Sequence, residues 1–319
     1  MTYLAADIGG TYSRLAWSPD GTAPGEQEQV FNNADFDSLE AVIDRGQAMR
    51  GLAGQPIEYL VLAVPGPVHD DPVVLTNIDW QLHRDTLKAR YQATRLTILN
   101  DFQAAALGAV AEPPERLKTL NPANRGDGPV VVAGAGTGLG MAWFADARGT
   151  ALPRATEGGH LDFAPNNPDQ LGLYNWLAGR YGHVSYERIL SGDGLTDCYR
   201  FFAGDQAQAT DPAGIASLAG KDDPHARQAV QTFVEIFAAY AGNLALAFNP
   251  TGGIYLCGGL TVHLADWFDP SAFLAAYTAK GRMRRVVQRI PVFMVTRHDT
   301  GLTGARMIAE NFTGQTHEQ

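Results

Sequence analysis

Residues 98–108, ILNDFQAAALG, set two adjacent polar side chains, Asn100 and Asp101, between apolar runs. A carboxylate at the C-terminal end of a strand stands where open α/β sheets keep their ligands, and there Asp101 can act as a general base. Asn and Asp are also the usual caps of a helix that begins just after them, because they accept from its unpaired first N–H groups. Capping by itself accounts for the pair, so both readings stand at this point.

Two glycine-rich segments suit anions. In DIGGTYSR, residues 7–14, the glycines let backbone N–H groups approach phosphate oxygens, Thr11 adds a hydroxyl donor, and Asp7 can hold Mg²⁺ through water. GAGTGLG, residues 134–140, repeats the device around Thr137. Other phosphate motifs fail on spacing. A dinucleotide fingerprint starting at Gly134 and Gly136 would need glycine where Leu139 stands, and a P-loop at Gly220-Lys221 would need Ser or Thr in place of Asp222.

TEGGHLDF, residues 156–163, and SYERILSGDGL, residues 185–195, add Glu157, His160 and Glu187 in glycine-flanked settings. A carboxylate can accept from two neighbouring hydroxyls and a neutral imidazole can donate or accept one bond, so the three suit a polyhydroxylated ligand. Lone surface Glu residues and a loop-bracing His would look the same.

Positioning these groups requires strands that end in tight turns. Apolar runs followed by glycine recur at residues 3–10, 59–68, 129–140 and 253–260, with helical patterns between them, so the fold class is α/β. LTILN, residues 96–100, reads as a buried strand and FQAAALGAV, residues 102–110, as an Ala-rich helix. The clearest helix starts at Asp223-Pro224, aligns Ala226, Val230, Phe233, Phe237, Tyr240, Leu244 and Phe248, and stops at Asn249-Pro250. Both glycine turns run into a second apolar stretch, RLAW or MAWF, so each predicts a β-hairpin and two halves built on one plan. The Pro/Gly/Asn-rich residues 120–129 are the best single boundary between the halves.

At 319 residues, 45% hydrophobic, the chain can bury about two cores. Its net charge of -10 repels a polyanion, and the basic run at residues 280–285 is modest, which argues against nucleic acid. No apolar run approaches the roughly 20 residues of a membrane span, and the N-terminal stretch lacks the pattern of a secretion signal, so a cytoplasmic protein without a membrane partner is expected. Cys198 and Cys257 form no metal-binding spacing and read as reduced packing residues.

Taken together, the segments resemble the bacterial glucokinase family, a branch of the actin, hexokinase and Hsp70 superfamily. DIGGTYSR looks like its first phosphate motif, LNDFQAAALG its catalytic segment, GAGTGLG its second phosphate motif, EGGHLDFAP and ERILSG its glucose-contact segments, and IYLCGGL its adenosine-side motif. The resemblance spans nearly the whole chain. It departs at Asp193, where the family usually has Pro, at Thr156, where Pro or Gly is common, and in TNIDW, residues 76–80, which varies a sugar-side loop. The cysteine-rich zinc motif of the related sugar kinases and repressors is missing.

The resemblance implies a two-domain actin-like ATPase fold, ribonuclease H-like, with the active site in the interdomain cleft. It further implies a small domain of residues 1–109 plus 300–319 and a large domain of residues 110–299. Asp101 would be the catalytic base, with Asn100, Asp101, Glu157, His160 and Glu187 holding D-glucose. ATP would lie on Ala6, Asp7, Ile8, Gly9, Gly10, Thr11, Gly136, Thr137, Gly138, Gly258 and Gly259, with Mg²⁺ at Asp7 through water. The implied activity is transfer of the γ-phosphoryl group of MgATP to the 6-hydroxyl of glucose by a homodimer. The alternatives are a kinase for another hexose such as mannose or fructose, a nucleotide phosphohydrolase, or an actin-like binding module without a base.

Overall fold

A computed structural model describes residues 2–18, 28–76, 78–146, 152–208 and 210–315. Asn77 of TNIDW lies outside the described residues. The chain forms two compact units, Met1–Ala111 with Asp299–Gln319, and Glu112–His298.

The first unit is built on strands β1 (Tyr3–Ile8), β2 (Tyr12–Ser18), β3 (Gln29–Asn32), β4 (Tyr59–Val64) and β7 (Arg95–Asn100), in the order β3-β2-β1-β4-β7. A short pair, β5 (Val73–Val74) and β6 (Gln81–Leu82), stands apart. β1 and β2 form the expected antiparallel hairpin, while β1, β4 and β7 run parallel. Parallel central strands are covered on both faces, which explains why β4 is wholly apolar and buried.

Helices α1 (Leu39–Met49), α2 (Arg84–Tyr91), α3 (Asp101–Ala111) and α11 (Thr300–Gln315) complete this unit. The last returns from the far end of the sequence to pack on α3. Two glycines permit the approach: a Cβ at Gly108 would stand 2.0 Å from the Thr300 carbonyl oxygen, and one at Gly304 would stand 1.9 Å from that of Ala104.

The second unit repeats the plan. Its strands are β8 (Leu117–Asn121), β9 (Val130–Ala135), β10 (Leu139–Phe144), β11 (Arg154–Thr156), β12 (Gly253–Cys257) and β13 (Val292–Val295), in the order β11-β10-β9-β12-β13-β8. Again a hairpin, β9 with β10, leads into parallel neighbours, β12 and β13. The added strand β8 pairs antiparallel with β13. Residues 120–129 therefore lie inside this unit rather than at its border. Their Pro/Gly content marks a loop between two strands of one sheet, and the division comes earlier, after Ala111.

Helices α4 (Pro168–Tyr181), α5 (Gly192–Ala203), α6 (Pro212–Gly220), α7 (Pro224–Phe248), α8 (Gly259–His263), α9 (Pro270–Tyr277) and α10 (Arg284–Val287) surround the second sheet. The bounds of α7 are those its sequence predicts. Asp223 accepts from the Ala226 N–H at 2.7 Å, Pro224 fills the first turn, and Asn249 ends the helix in the left-handed region. Ala226, Val230, Phe233, Phe237, Tyr240 and Leu244 are buried, and Phe248 is partly buried against Trp143.

Among the described residues α7 is the one helix long and apolar enough to cross a membrane. It nevertheless carries Arg227, Gln228 and Glu235, and 78% of its most apolar window is buried in this unit's core. Cys198 and Cys257 are free and buried, and burial pushes the Cys257 thiol up to about 12.

Candidate active site

In the first unit β7 ends on Asn100, which faces Val64 of β4, and α3 begins at once. The division of labour in the Asn-Asp pair is specific. Asn100 Oδ1 accepts from the Phe102 N–H at 3.0 Å and the Gln103 N–H at 3.4 Å, while Gln103 Oε1 accepts from the Asn100 N–H at 3.2 Å. This is a reciprocal capping box, so Asn100 and not Asp101 caps the helix. The Asn100 Nδ2 also donates to the Gly66 carbonyl at 3.3 Å. Gln103 went unnoticed in the sequence, although the Asn-x-x-Gln spacing was its signal.

Asp101 Oδ1 accepts from the Phe102 N–H at 2.8 Å. Burial pushes its pKa above the ordinary carboxylate range, against the lowering effect of the hydrogen bonds from Phe102, its own N–H and the Asn100 side chain. A carboxyl raised in this way is better matched to accepting a proton from a hydroxyl near neutral pH.

Asp7 sits at the end of β1, across from Arg14 of β2. Burial pushes it up to about 7; Arg14 lowers it, and the charges of Asp101, Glu28 and Asp299 raise it further. A half-buried carboxylate in a negative field has the oxygen chemistry a divalent cation would relieve. Among the described residues no group of three or more His, Cys, Asp or Glu side chains is arranged to hold a metal ion directly.

The turn after Asp7 is closed by the Gly9 N–H donating to the Tyr12 carbonyl at 2.9 Å. Gly10 and Thr11 are exposed and line a depression of about 470 Å³ with Asn33, Asp37, Asp79 and Trp80. Ala6 and Ile8 have side chains in the core; the Ala6 backbone lies between β2 and β4, and Ile8 pairs with Ser13 of β2.

In the second unit the turn at residues 136–138 follows β9. Gly136 and Gly138 are half-buried and Thr137 is exposed. Glu187 is bound to this turn: its Oε2 accepts from the Leu139 N–H at 2.9 Å, and a Cβ on Gly138 would stand 2.6 Å from the same oxygen.

Its Oε1 lies 3.7 Å from His160 Nε2, which is 3.8 Å from Glu157 Oε2. The three residues proposed for hydroxyl binding thus come together. The segment carrying them is locked, because the Glu187 N–H donates to the Gly159 carbonyl at 2.9 Å and a Cβ on Gly159 would stand 2.1 Å from the Leu139 carbonyl oxygen.

Two of the family departures, Thr156 and Asp193, have local structural roles. Thr156 accepts from the Gly158 N–H at 3.1 Å and donates to Met141 Sδ at 2.8 Å, so a hydroxyl braces the loop where Pro or Gly is common. Asp193 is exposed in the first turn of α5 after the Ser191 cap, where an acid suits the helix dipole as Pro suits its backbone. Gly258, with φ +97°, precedes α8 and passes so close to Ala135 that a Cβ would stand 2.4 Å from its carbonyl oxygen. Gly259 is the first residue of that helix.

A family model described as Glucokinase matches residues 4–312. A glucokinase of Erwinia tasmaniensis is 38% identical over 311 residues, covering 95% of each chain. The crystal structure of a glucokinase from an Antarctic psychrotroph superimposes with a TM-score of 0.83 at 27% identity, covering 97% of this chain and 99% of that one. A ROK family glucokinase from Streptomyces griseus, solved in complex with glucose and AMPPNP, shares the fold with a TM-score of 0.65 at 20% identity, covering 98% and 100%. The fold is the actin-like ATPase fold of these sugar kinases. The chain belongs to the glucokinase family and is, by that membership, a sugar kinase.

Proposed function

We propose that the protein transfers the γ-phosphoryl group of MgATP to the 6-hydroxyl of D-glucose, giving glucose 6-phosphate and ADP. The observation that carries the reading is the double engagement of Glu187. One carboxylate oxygen fixes the glycine turn at Leu139, and the other faces His160, so one side chain serves both a phosphate-type turn and a hydroxyl-binding cluster.

Asp101 accepts the proton of the attacking hydroxyl, and Asn100, Glu157, His160 and Glu187 orient the sugar. The glycine turns receive the phosphates through backbone N–H groups. Mg²⁺ at Asp7, when bound, neutralises charge on the phosphate oxygens. The glucose and AMPPNP bound in the Streptomyces griseus structure support this choice of ligands. The same reading carries a cytoplasmic homodimer, which light scattering on the purified protein tests.

A coupled assay across glucose, mannose and fructose, with a control lacking sugar, tests the function. Turnover should be fastest with glucose and should vanish without sugar. ATP hydrolysis at an equal rate without sugar would mark a phosphohydrolase, and a preference for mannose or fructose would reassign the substrate.

A further inference from the structure

The two glycine turns share a hairpin plan but are held in different ways. In the second unit two backbone bonds and a carboxylate share the support: the Gly136 N–H donates to the Gly138 carbonyl at 2.8 Å, the Gly192 N–H at the start of α5 donates to the Gly136 carbonyl at 3.0 Å, and Glu187 Oε2 accepts from the Leu139 N–H at 2.9 Å. In the first unit a single residue, Asn33, holds most of the turn. It follows β3 directly and is 2% exposed.

Its Nδ2 donates to the Gly9 carbonyl at 2.8 Å, its Oδ1 accepts from the Ser13 hydroxyl at 2.6 Å, and its own N–H donates to the Thr11 carbonyl at 2.9 Å. Both limbs of the turn are thereby tied to one buried side-chain amide, and its tip to the backbone N–H of the same residue. The Gly9 carbonyl can only accept, which fixes which end of the Asn33 amide faces it.

The peptide plane turns this support into aim. The Gly9 C=O and the Gly10 N–H belong to one trans planar unit and point in opposite directions. Holding the oxygen inward on Asn33 therefore directs the Gly10 N–H outward. Among the described residues no acceptor meets the N–H groups of Gly10 or Thr11, so both remain available to a ligand.

We infer that Asn33 is a positioning residue for phosphate recognition, aiming the Gly10 N–H at the nucleotide while touching no substrate itself. The inference rests on the proposed use of this turn by ATP.

Two variants test it. Asn33→Asp keeps the side-chain size and the acceptor for Ser13 but loses the donor to Gly9. Ser13→Ala removes one hydroxyl that orients the Asn33 amide. For Asn33→Asp the KM for MgATP and the Kd for ADP, measured by calorimetry, should rise about tenfold, as expected for one lost hydrogen bond of about 1.4 kcal/mol. Ser13→Ala should raise both about threefold. The KM for glucose should stay within about twofold in each, since the bonds that these variants remove all lie within the turn.

A nucleotide KM unchanged in Asn33→Asp, or equal rises for sugar and nucleotide, would overturn the inference. If Asn33→Asp does not fold, Ser13→Ala decides alone, and a wild-type nucleotide KM in that variant overturns it as well. A wild-type protein that binds neither ATP nor ADP would instead remove the reading of the turn on which the inference stands, a result visible before any variant is made.

Discussion

The Asp7 carboxylate lies directly against the backbone of Gly301, in the first turn of α11: a Cβ built on Gly301 would stand 2.5 Å from Asp7 Oδ2 and 2.6 Å from its Cγ. A helix start offers unpaired N–H groups and a partial positive charge, which suits a carboxylate. Only glycine leaves room for the carboxylate there. Gly301→Ala should therefore displace Asp7 and lower kcat about tenfold or more, with glucose binding kept, because a misplaced reacting group costs rate steeply. A coupled assay together with glucose titration of intrinsic fluorescence checks this. Wild-type turnover in Gly301→Ala would show that Asp7 does not need this place.

The pKa of Asp7 makes a prediction about stability. Burial, with the carboxylates of Asp101, Glu28 and Asp299, raises it from 3.8 to about 7 in the folded chain. Between those values the folded chain keeps a proton that the unfolded chain has released, so the stabilisation is full below 3.8 and is lost as pH rises through about 7. With divalent metal removed by chelation, the melting temperature should fall across that window. Asp7→Asn should flatten the fall and be more stable than wild type at pH 8 by about 1–2 kcal/mol, less than the full shift would give because solvent reaches the carboxylate. Identical pH profiles for the two proteins would show that Asp7 titrates normally.

These two residues also show where sequence reading stops. Asp7 and its glycine turn were legible because a tight turn between two apolar strands needs glycine, and both limbs are apolar runs buried along most of their length. The ends of α7 were legible because Asp223, Pro224 and Asn249 act on their own backbone. Gly301 and Asn33 were not, since their partners lie far along the chain and no local pattern marks the meeting. Composition alone points to residues 120–129 as the border for the same reason: β8 is claimed by β13, a strand more than 160 residues later, and no local pattern marks that pairing. The cluster of Glu157, His160 and Glu187 was nameable from glycine-flanked motifs. That Glu187 also holds the Leu139 N–H was not.

That second role of Glu187 separates two substitutions. Glu187→Gln keeps an oxygen that can accept from the Leu139 N–H, so the glycine turn should survive while the charge facing His160 is lost. The KM for glucose should rise, and the KM for MgATP should stay within about twofold. Glu187→Ala removes both functions and should raise both constants, glucose by about tenfold or more. Steady-state kinetics with each substrate varied in turn would reveal it. If Gln and Ala behave alike toward MgATP, the carboxylate does not support the turn.

Asp101 can be tested without damage to the helix it begins, because Asn100 and Gln103 form the capping box. Asp101→Asn should keep the fold and bind glucose within a few-fold of wild type. Turnover should fall by about 10²- to 10⁴-fold, the usual contribution of a general base. The raised pKa of the wild-type carboxyl also places the acid limb of kcat/KM above the ordinary carboxylate range, since the protonated form cannot accept the hydroxyl proton. In Asp101→Asn that limb should vanish from whatever rate remains. A variant that retained turnover within tenfold of wild type, or the same acid limb, would show that the proton goes elsewhere and that Asp101 only orients the sugar.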